Sequence, residues 1–305
     1  GSRNERMSRI YTVFGGTGFL GQRVVASLLE NGHRVRIAAR HPQSSSASLA
    51  ERAEAVRADL FEPESLLAAL RGADGAVNAI SLYLEKGSVT FDAVHVEGAA
   101  RLARLARQSG VKHFVQLSGI GADASANDAY IRSRGKGEQA VASAFPSAFL
   151  VRPSAMFGPG DGLVSAILGV ARRLPVYPLF GAGATRLQPA YIEDVGLAIA
   201  RLLQGEDPAP VHEFGGPRVF TYRDLVETVA AAAGVEVRPV PVPFAAWRMM
   251  SAMAEKLPGA PLTRSQVALM RHDNVASSDL PGLRALDVEP RDIEAFVRTT
   301  IGEAK

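Results

Sequence analysis

The 305-residue chain has no cysteine and a single tryptophan, Trp247. Without thiols there is no disulfide, no thiolate nucleophile and no thiolate metal ligand, which fits a reducing compartment. The six histidines, at 33, 41, 95, 113, 212 and 272, show no HxH or HxxxH spacing, so no metal site is expected. Long apolar runs are also missing. The longest reach about a dozen residues, as in Pro241–Trp247 continuing toward Met253, too short to span a bilayer. The opening GSRNERMSR lacks the apolar core of a secretion signal. A cytoplasmic protein is therefore expected, with any membrane contact peripheral and at the inner face. Basic residues do not cluster with interleaved aromatics, and no nucleic-acid partner is expected.

What is present is ordinary for a globular protein: 47% apolar and 21% charged residues, enough chain for one extended domain or two unequal ones. The charge is uneven. Residues 1–155 hold 19 Lys and Arg against 14 Asp and Glu, whereas residues 156–305 hold 15 against 17. A mildly positive first half suits a phosphorylated small molecule, although charge alone equally fits a solvated surface.

The first half alternates short apolar runs with helical patterns. Strands are expected at Ile10–Phe14, Arg34–Ala39, Ala55–Ala58, Gly75–Ile80, Lys112–Leu117 and Ala148–Val151. Helices are expected at Phe19–Asn31, Pro63–Leu70, Thr90–Gln108 and Ala129–Ala144. Such alternation implies an α/β fold, a Rossmann-type doubly wound parallel sheet, whose ligands bind beyond the carboxyl ends of the strands. After about residue 155 the rhythm breaks into Pro- and Gly-rich stretches, with helical patterns near 193–204, 221–233, 243–256, 262–271 and 290–300. The expected organisation is a dinucleotide-binding domain over 7–155 and a smaller, mixed C-terminal lobe over 156–305 for substrate or partner. The segment near 187–204 is expected to pack back on the first domain.

The stretch VFGGTGFLG (residues 13–21) ends one expected strand and opens a helix. Gly15, Gly18 and Gly21 permit a tight turn, a close backbone approach to a pyrophosphate and close helix–sheet packing, and the helix N-terminus favours the negative charge. Gly16, Thr17, Phe19 and Leu20 complete the loop. After the second strand the chain reads RIAARHPQSSS, with no acid until Glu51. A carboxylate there would hold the ribose hydroxyls of NAD; Arg40, with His41, would instead pair with a 2′-phosphate, so NADP(H) is expected over NAD(H). Arg40 could otherwise cap a surface loop. Asp59 could accept from an adenine amino group or cap the helix before Pro63. The strand-end rule adds Leu60, Ala79, Ile80, Ser81, Leu117, Pro153 and Met156 to the candidate cofactor contacts.

GGTGFLG with Arg40 and Asp59, QLSGIGAD after the fifth strand, YIRSRGKGE (130–138) and RPSAMFGPGD resemble the extended and atypical short-chain dehydrogenase/reductases. LQPAYIEDVGLAIA, FGGPRVFTYRDLVETVA and LTRSQVALMRHDNVAS are similar to the branch holding the nucleotide-binding accessory subunit of respiratory complex I and its bacterial relatives. The resemblance implies a site in which a Tyr-x-x-x-Lys pair works with a serine. Tyrosine handles the proton at the substrate oxygen, and lysine holds the nicotinamide ribose and lowers the phenol pKa. Serine orients the oxygen. Ser118 and Tyr130 match, but position 134 is Arg, a permanently charged group that cannot relay protons. Lys136, six residues after Tyr130, lies too far around the helix to stand in. The catalytic candidates are thus Ser118, Tyr130 and Arg134, the last two also contacting cofactor. His95 occupies the region where catalytic members carry an asparagine; a half-buried structural histidine reads equally well.

Three functions follow. An NADP(H)-dependent oxidoreductase would act on a carbonyl or quinone-like ring, with Met156, Phe157, Leu163, Tyr177, Leu179 and Phe180 as walls or as core. An NADPH-holding accessory module with little turnover would meet a protein partner or membrane through FAAWRMMSAMAEKL (244–257) in the C-terminal lobe. A sugar-nucleotide epimerase or dehydratase would want the intact Tyr/Lys pair and NAD, and fits less well.

Overall fold

The structure, a computed structural model, describes residues 8–205 and 209–301; most of the opening GSRNERMSR lies outside them. Seven parallel strands form the central sheet: β1 (Ile10–Phe14), β2 (Arg34–Ala39), β3 (Glu54–Arg57), β4 (Gly75–Asn78), β5 (His113–Leu117), β6 (Phe149–Pro153) and, from far along the chain, Val211–Phe214. Their order is β3-β2-β1-β4-β5-β6 followed by Val211–Phe214 at the edge, so the connection reverses between β1 and β4. That reversal opens a crevice at the carboxyl ends of the two strands. The Rossmann-type α/β fold expected from the sequence is what forms.

Alternation within the strands builds a core on each face of the sheet. Tyr11, Val13, Ile37, Val115 and Val151 face helix α1 (Phe19–Glu30). Phe14, Ala38, Phe114 and Leu150 face the other layer, where Leu66 and Leu102 meet them. After a single turn, α2 (Ala47–Ala50), that second layer consists of α3 (Pro63–Leu70), α4 (Ala99–Gln108) and α5 (Ala129–Ala144). The expected helix at Thr90–Gln108 starts as a wider π turn over Asp92–Gly98 and tightens at Ala99. β4 stops at Asn78 rather than Ile80 because the Asn78 side chain accepts the Ile80 N–H at 3.1 Å. β6 runs on to Pro153 because Val211–Phe214 continues its ladder.

The second half contributes β7 (Met156–Gly158), β8 (Asp161–Gly162), α6 (Leu163–Arg173), β9 (Tyr177–Phe180), β10 (Arg186–Leu187), β11 (Ala190–Tyr191) and α7 (Ile192–Gln204). The edge strand Val211–Phe214 is β12, followed by β13 (Phe220–Thr221), α8 (Tyr222–Ala232), β14 (Pro239–Val242), α9 (Phe244–Ala254), α10 (Arg264–Leu269) and α11 (Ile293–Thr300). The short strands pair as β7 with β8 and β11, β9 with β14, and β10 with β13. Helix α7 packs on α1, where a Cβ on Gly196 would meet Arg23. Phe157, Tyr177 and Leu179 are at most 3% exposed and join the core, so of their two sequence readings the core one holds.

Candidate functional site

The turn from β1 into α1 is built around glycine. Gly15 adopts φ +77°, and a Cβ there would come within 2.9 Å of the Ala79 backbone. A Cβ on Gly21 would overlap the Gly15 carbonyl oxygen, so α1 rests on the turn itself. The Gly15 N–H donates to Ala38 O at 2.9 Å, and the Gln22 amide holds Thr17 O at 2.7 Å. No side chain caps the N-terminus of α1 at Gly18, which leaves its first-turn N–H groups for an anion.

In front of this turn lies a cavity of about 320 Å³, lined by Gly15, Thr17, Gly18, Arg40, His41, Ser44, Asp59, Leu60, Ala79, Ile80 and Ser81 among others. Arg40 and His41 are exposed at its rim. Asp59 lines it while Oδ1 accepts the Phe61 N–H at 2.9 Å. The helix-capping reading of Asp59 is not realised, because the N-cap of α3 is Glu62 and Asp59 caps a turn before it. The glycine cradle, the uncapped helix end and the basic rim together fit a dinucleotide phosphate.

Beside the cavity, joined to it through Ser81, lies Arg134, which is 5% exposed. Its Nη2 donates to Ser81 Oγ at 2.5 Å, Nη1 to Leu117 O at 3.3 Å and Nε to the Tyr130 hydroxyl at 3.4 Å. The guanidinium also lies 5.6 Å from the centre of the Tyr130 ring. Tyr130 is enclosed by rings, stacked on Tyr83 and edge-on to Phe91 and His95. Ser118, at the end of β5, is 5% exposed, and its hydroxyl has no hydrogen-bond partner.

His95 is fully enclosed rather than half-buried. Its Nε2 accepts the Leu82 N–H at 2.9 Å, so Nδ1 carries the proton and donates to Ser133 Oγ at 2.9 Å. Ser133 in turn donates to Tyr130 O at 2.8 Å. Burial, and secondarily the Arg134 charge, lowers the His95 pKa to about 2. The ring is a neutral strut between the loop after β4 and α5.

Comparison with known proteins agrees with this geometry. An NAD(P)H-binding family profile matches residues 15–148. Over that segment the chain is similar to NAD(P)H-binding domains. It is 28% identical over 97% of its length to the NADH dehydrogenase [ubiquinone] 1 alpha subcomplex subunit 9 of Arabidopsis thaliana, covering 78% of that protein. It is 31% identical to the ceramide reductase of Caulobacter vibrioides over 61% of this chain and 58% of that one. The Citrobacter sp. triphenylmethane reductase, solved with NADP(H), superposes with TM-score 0.73 at 18% identity over 95% of this chain and 99% of that chain. The likeness to the complex I accessory subunit read from the sequence is borne out, and the solved neighbours share the Rossmann-type fold that the sequence implied.

Around that domain's cavity the predicted residues divide. Ten of them line it: Gly15, Thr17, Gly18, Arg40, His41, Asp59, Leu60, Ala79, Ile80 and Ser81. Gly16, Leu20 and Gly21 build the turn from behind. Phe19 faces Gly158 and Gly162, at the start of the second half. Tyr130, Arg134 and Leu117 are joined by the hydrogen bonds above, whereas Met156 packs against the core and Pro153 ends β6, its carbonyl accepting the Ile120 N–H. Ala39, Ala58, Phe61, Leu82, Val89 and Val94 also line the cavity and were not read from the sequence; the first four lie at or within four residues of a strand end, whereas Val89 and Val94 come in with the loop and π turn before α4, where no strand end signals them.

Proposed function

We propose that this protein is an NADP(H)-dependent oxidoreductase of the cytoplasm that reduces a carbonyl or quinone-like ring beside the C-terminal lobe. The observation that carries this reading is the join between cavity and phenol: Ser81 lines the cavity and accepts from Arg134, which reaches the Tyr130 hydroxyl. NADPH, when bound, supplies the hydride. Gly15–Gly21 would hold the pyrophosphate, Arg40 and His41 the 2′-phosphate, and Asp59 the adenine edge. Tyr130 positions a proton at the substrate oxygen, Arg134 stabilises the deprotonated phenol, and Ser118 orients that oxygen with its unused hydroxyl.

Arg134 in place of lysine, with an Arg40 rim that suits NADP(H), speaks against a sugar-nucleotide epimerase or dehydratase. Fluorescence titration of nucleotide-free protein with NADPH and NADH, repeated with Arg40→Ala, tests the cofactor assignment; preference for NADH would sink it. Substrate-dependent NADPH oxidation that collapses in Tyr130→Phe tests the reaction.

A second reading is an NADPH-holding module that docks through its C-terminal lobe. It is favoured by α9, whose residues Met249 and Met253 are 69% and 66% exposed, with Leu257 just beyond at 57%. Met249 and Met253 share one helix face, suited to a partner protein or the membrane surface. Slow exchange of co-purified nucleotide without turnover would select this reading.

A further inference from the structure

The end of the sheet away from the glycine turn holds a second cavity, of about 940 Å³. The starts of β1, β4 and β5 line it through Arg9, Tyr11, Asp74 and Lys112, and α7 adds Arg201. Its size lies within the range of small-molecule pockets. Tyr11 is the group there whose burial is unanswered. It is 1% exposed, and its hydroxyl has no hydrogen-bond partner. Burial raises the phenol's pKa, and the Arg9 side chain pulls against that rise without meeting the hydroxyl in hydrogen-bonding geometry. A buried donor left unmade is costly, and nearly all such groups in folded proteins find a partner. The ring is held in place by His33, edge-on with centres 5.1 Å apart. His33 Nδ1 accepts the Arg9 N–H at 3.3 Å, so Nε2 donates to Gln204 Oε1 at 2.8 Å.

Three cations line the same cavity, and none of Arg9, Lys112 and Arg201 meets a carboxylate among the described residues. Arg201 gives Nη1 to the Leu286 and Asp287 carbonyls, which leaves Nη2 over. Asp74 is turned to the backbone, where Oδ2 accepts the Ile10 N–H at 2.8 Å. Arg9 and Lys112 flank it at the starts of β1 and β5. They stand two strand spacings apart, roughly 10 Å, so their long side chains can converge on one anion. The carboxyl ends of α1 and α7 also come here, at Asn31 and Gly205, and their carbonyls favour cations. Two helix ends amount to about one charge, which three cations against one carboxylate exceed. Exposed cations alone make an ordinary solvated surface. Joined to a buried hydroxyl with a proton to give, they suit an anion rich in acceptor oxygens. A carboxylate offers one charge and two oxygens, whereas a phosphoryl group offers nearly two charges and three oxygens.

We infer that this cavity binds a phosphoryl group, free or carried by a small molecule, through Arg9, Lys112 and Arg201, with the Tyr11 hydroxyl donating to one of its oxygens. The site is separate from the dinucleotide cradle and does not depend on the reading of the reaction.

The test is calorimetric titration with inorganic phosphate and with ribose 5-phosphate at fixed ionic strength, with ribose as the control. Tighter binding of ribose 5-phosphate marks a phosphorylated molecule as the occupant, and equal binding of the two marks free phosphate. Lys112→Ala should weaken that binding about tenfold, the loss of one charge-assisted contact, while Arg40→Ala leaves it within twofold. Tyr11→Phe should weaken it at least threefold and yet melt no lower than wild type without ligand, because the hydroxyl has no partner to lose. Binding of neither phosphate, or of ribose as tightly as its phosphate, overturns the inference in the wild type, where no variant has to fold. So does binding that Arg40→Ala removes and Lys112→Ala spares, since the anion then sits in the glycine cradle. A Tyr11→Phe protein that melts clearly lower overturns it too, because the hydroxyl is then satisfied within the protein.

Discussion

Two arginines near the carboxyl ends of neighbouring strands carry the same charge in opposite surroundings. Arg152, on β6, lies between Glu138 and Glu213, with contacts of 2.7 and 3.3 Å to carboxylates that are about nine-tenths buried. Glu213 also accepts the Ser277 N–H at 2.8 Å, so this cluster ties α5, β6, β12 and the segment after α10 together. Its hydrogen bonds to Glu138, foremost among the causes, hold the Arg152 guanidinium protonated well beyond its ordinary range. Arg134 is more deeply enclosed and meets no carboxylate. The first arrangement is complete in itself and reads as architecture. The second is complete only with something added, which is the mark of a site.

The largest effect should come from breaking the complete arrangement. Arg152→Met leaves two buried carboxylates facing each other, and chemical denaturation should show a loss of about 3–5 kcal/mol. A loss below about 1 kcal/mol would mean that Glu138 swings back to Arg134. The two arginines would then be one network, and the contrast between them would vanish.

Arg40 extends the comparison to the surface. Like Arg134 it meets no carboxylate among the described residues, but it is exposed, so water screens it and its charge costs little to leave free. Arg40→Ala should therefore leave stability within about 0.5 kcal/mol. Losing a charge-assisted pair to the 2′-phosphate should weaken NADPH binding roughly 10- to 100-fold and barely change NADH binding. Equal weakening of both nucleotides in the titration would place Arg40 outside the 2′-phosphate's reach.

How much of this could be read from the sequence follows the same divide. The cradle could be read early because its requirements are local: Gly15 and Gly21 sit where a Cβ cannot, in a strand–turn–helix stretch nine residues long. Arg134 could be seen as a departure from the Tyr-x-x-x-Lys pattern, but its lack of a carboxylate could not, because Glu138 is diverted by a residue from another strand. His95 was ambiguous for the same reason, since its partners Leu82 and Ser133 lie 13 and 38 residues away. Helix α6 went unanticipated between two Pro- and Gly-rich stretches, although Val164, Ile167 and Leu168 show helical spacing. The edge strand β12 depends wholly on pairing with β6, a long-range contact that no local pattern announces.

His95 is held neutral first by its burial and then by the Arg134 charge beside it. Its folded pKa, lowered to about 2, lies below the ordinary value of 6.5, so between these values the unfolded chain binds a proton that the native state does not. The stability it contributes is present above pH 6.5 and is lost as pH falls. Between pH 7 and 5 the loss should be about 2 kcal/mol. His95→Gln should flatten that part of the pH–stability curve, measured by denaturant melts at each pH. An unchanged slope would show that the ring can ionise in place, which its burial, with Arg134 beside it, opposes.

The smallest effect is the most pointed. Arg134→Met removes a cation that no carboxylate of the described residues balances, but it also strips donors from Ser81, Leu117 and Tyr130. Each of those is a neutral acceptor, and each lost hydrogen bond costs about 1 kcal/mol. Relief of an unpaired buried charge is worth several kcal/mol in the other direction. Chain relaxation and water reaching the new space trim both terms, so the nucleotide-free protein should end within about 1 kcal/mol of wild type, on either side. A clear destabilisation, comparable with that of Arg152→Met, would mean that Arg134 is as structural as its neighbour. A neutral result, alongside lost substrate-dependent NADPH oxidation, would separate the two arginines by role: one serves the fold, and the other serves the site.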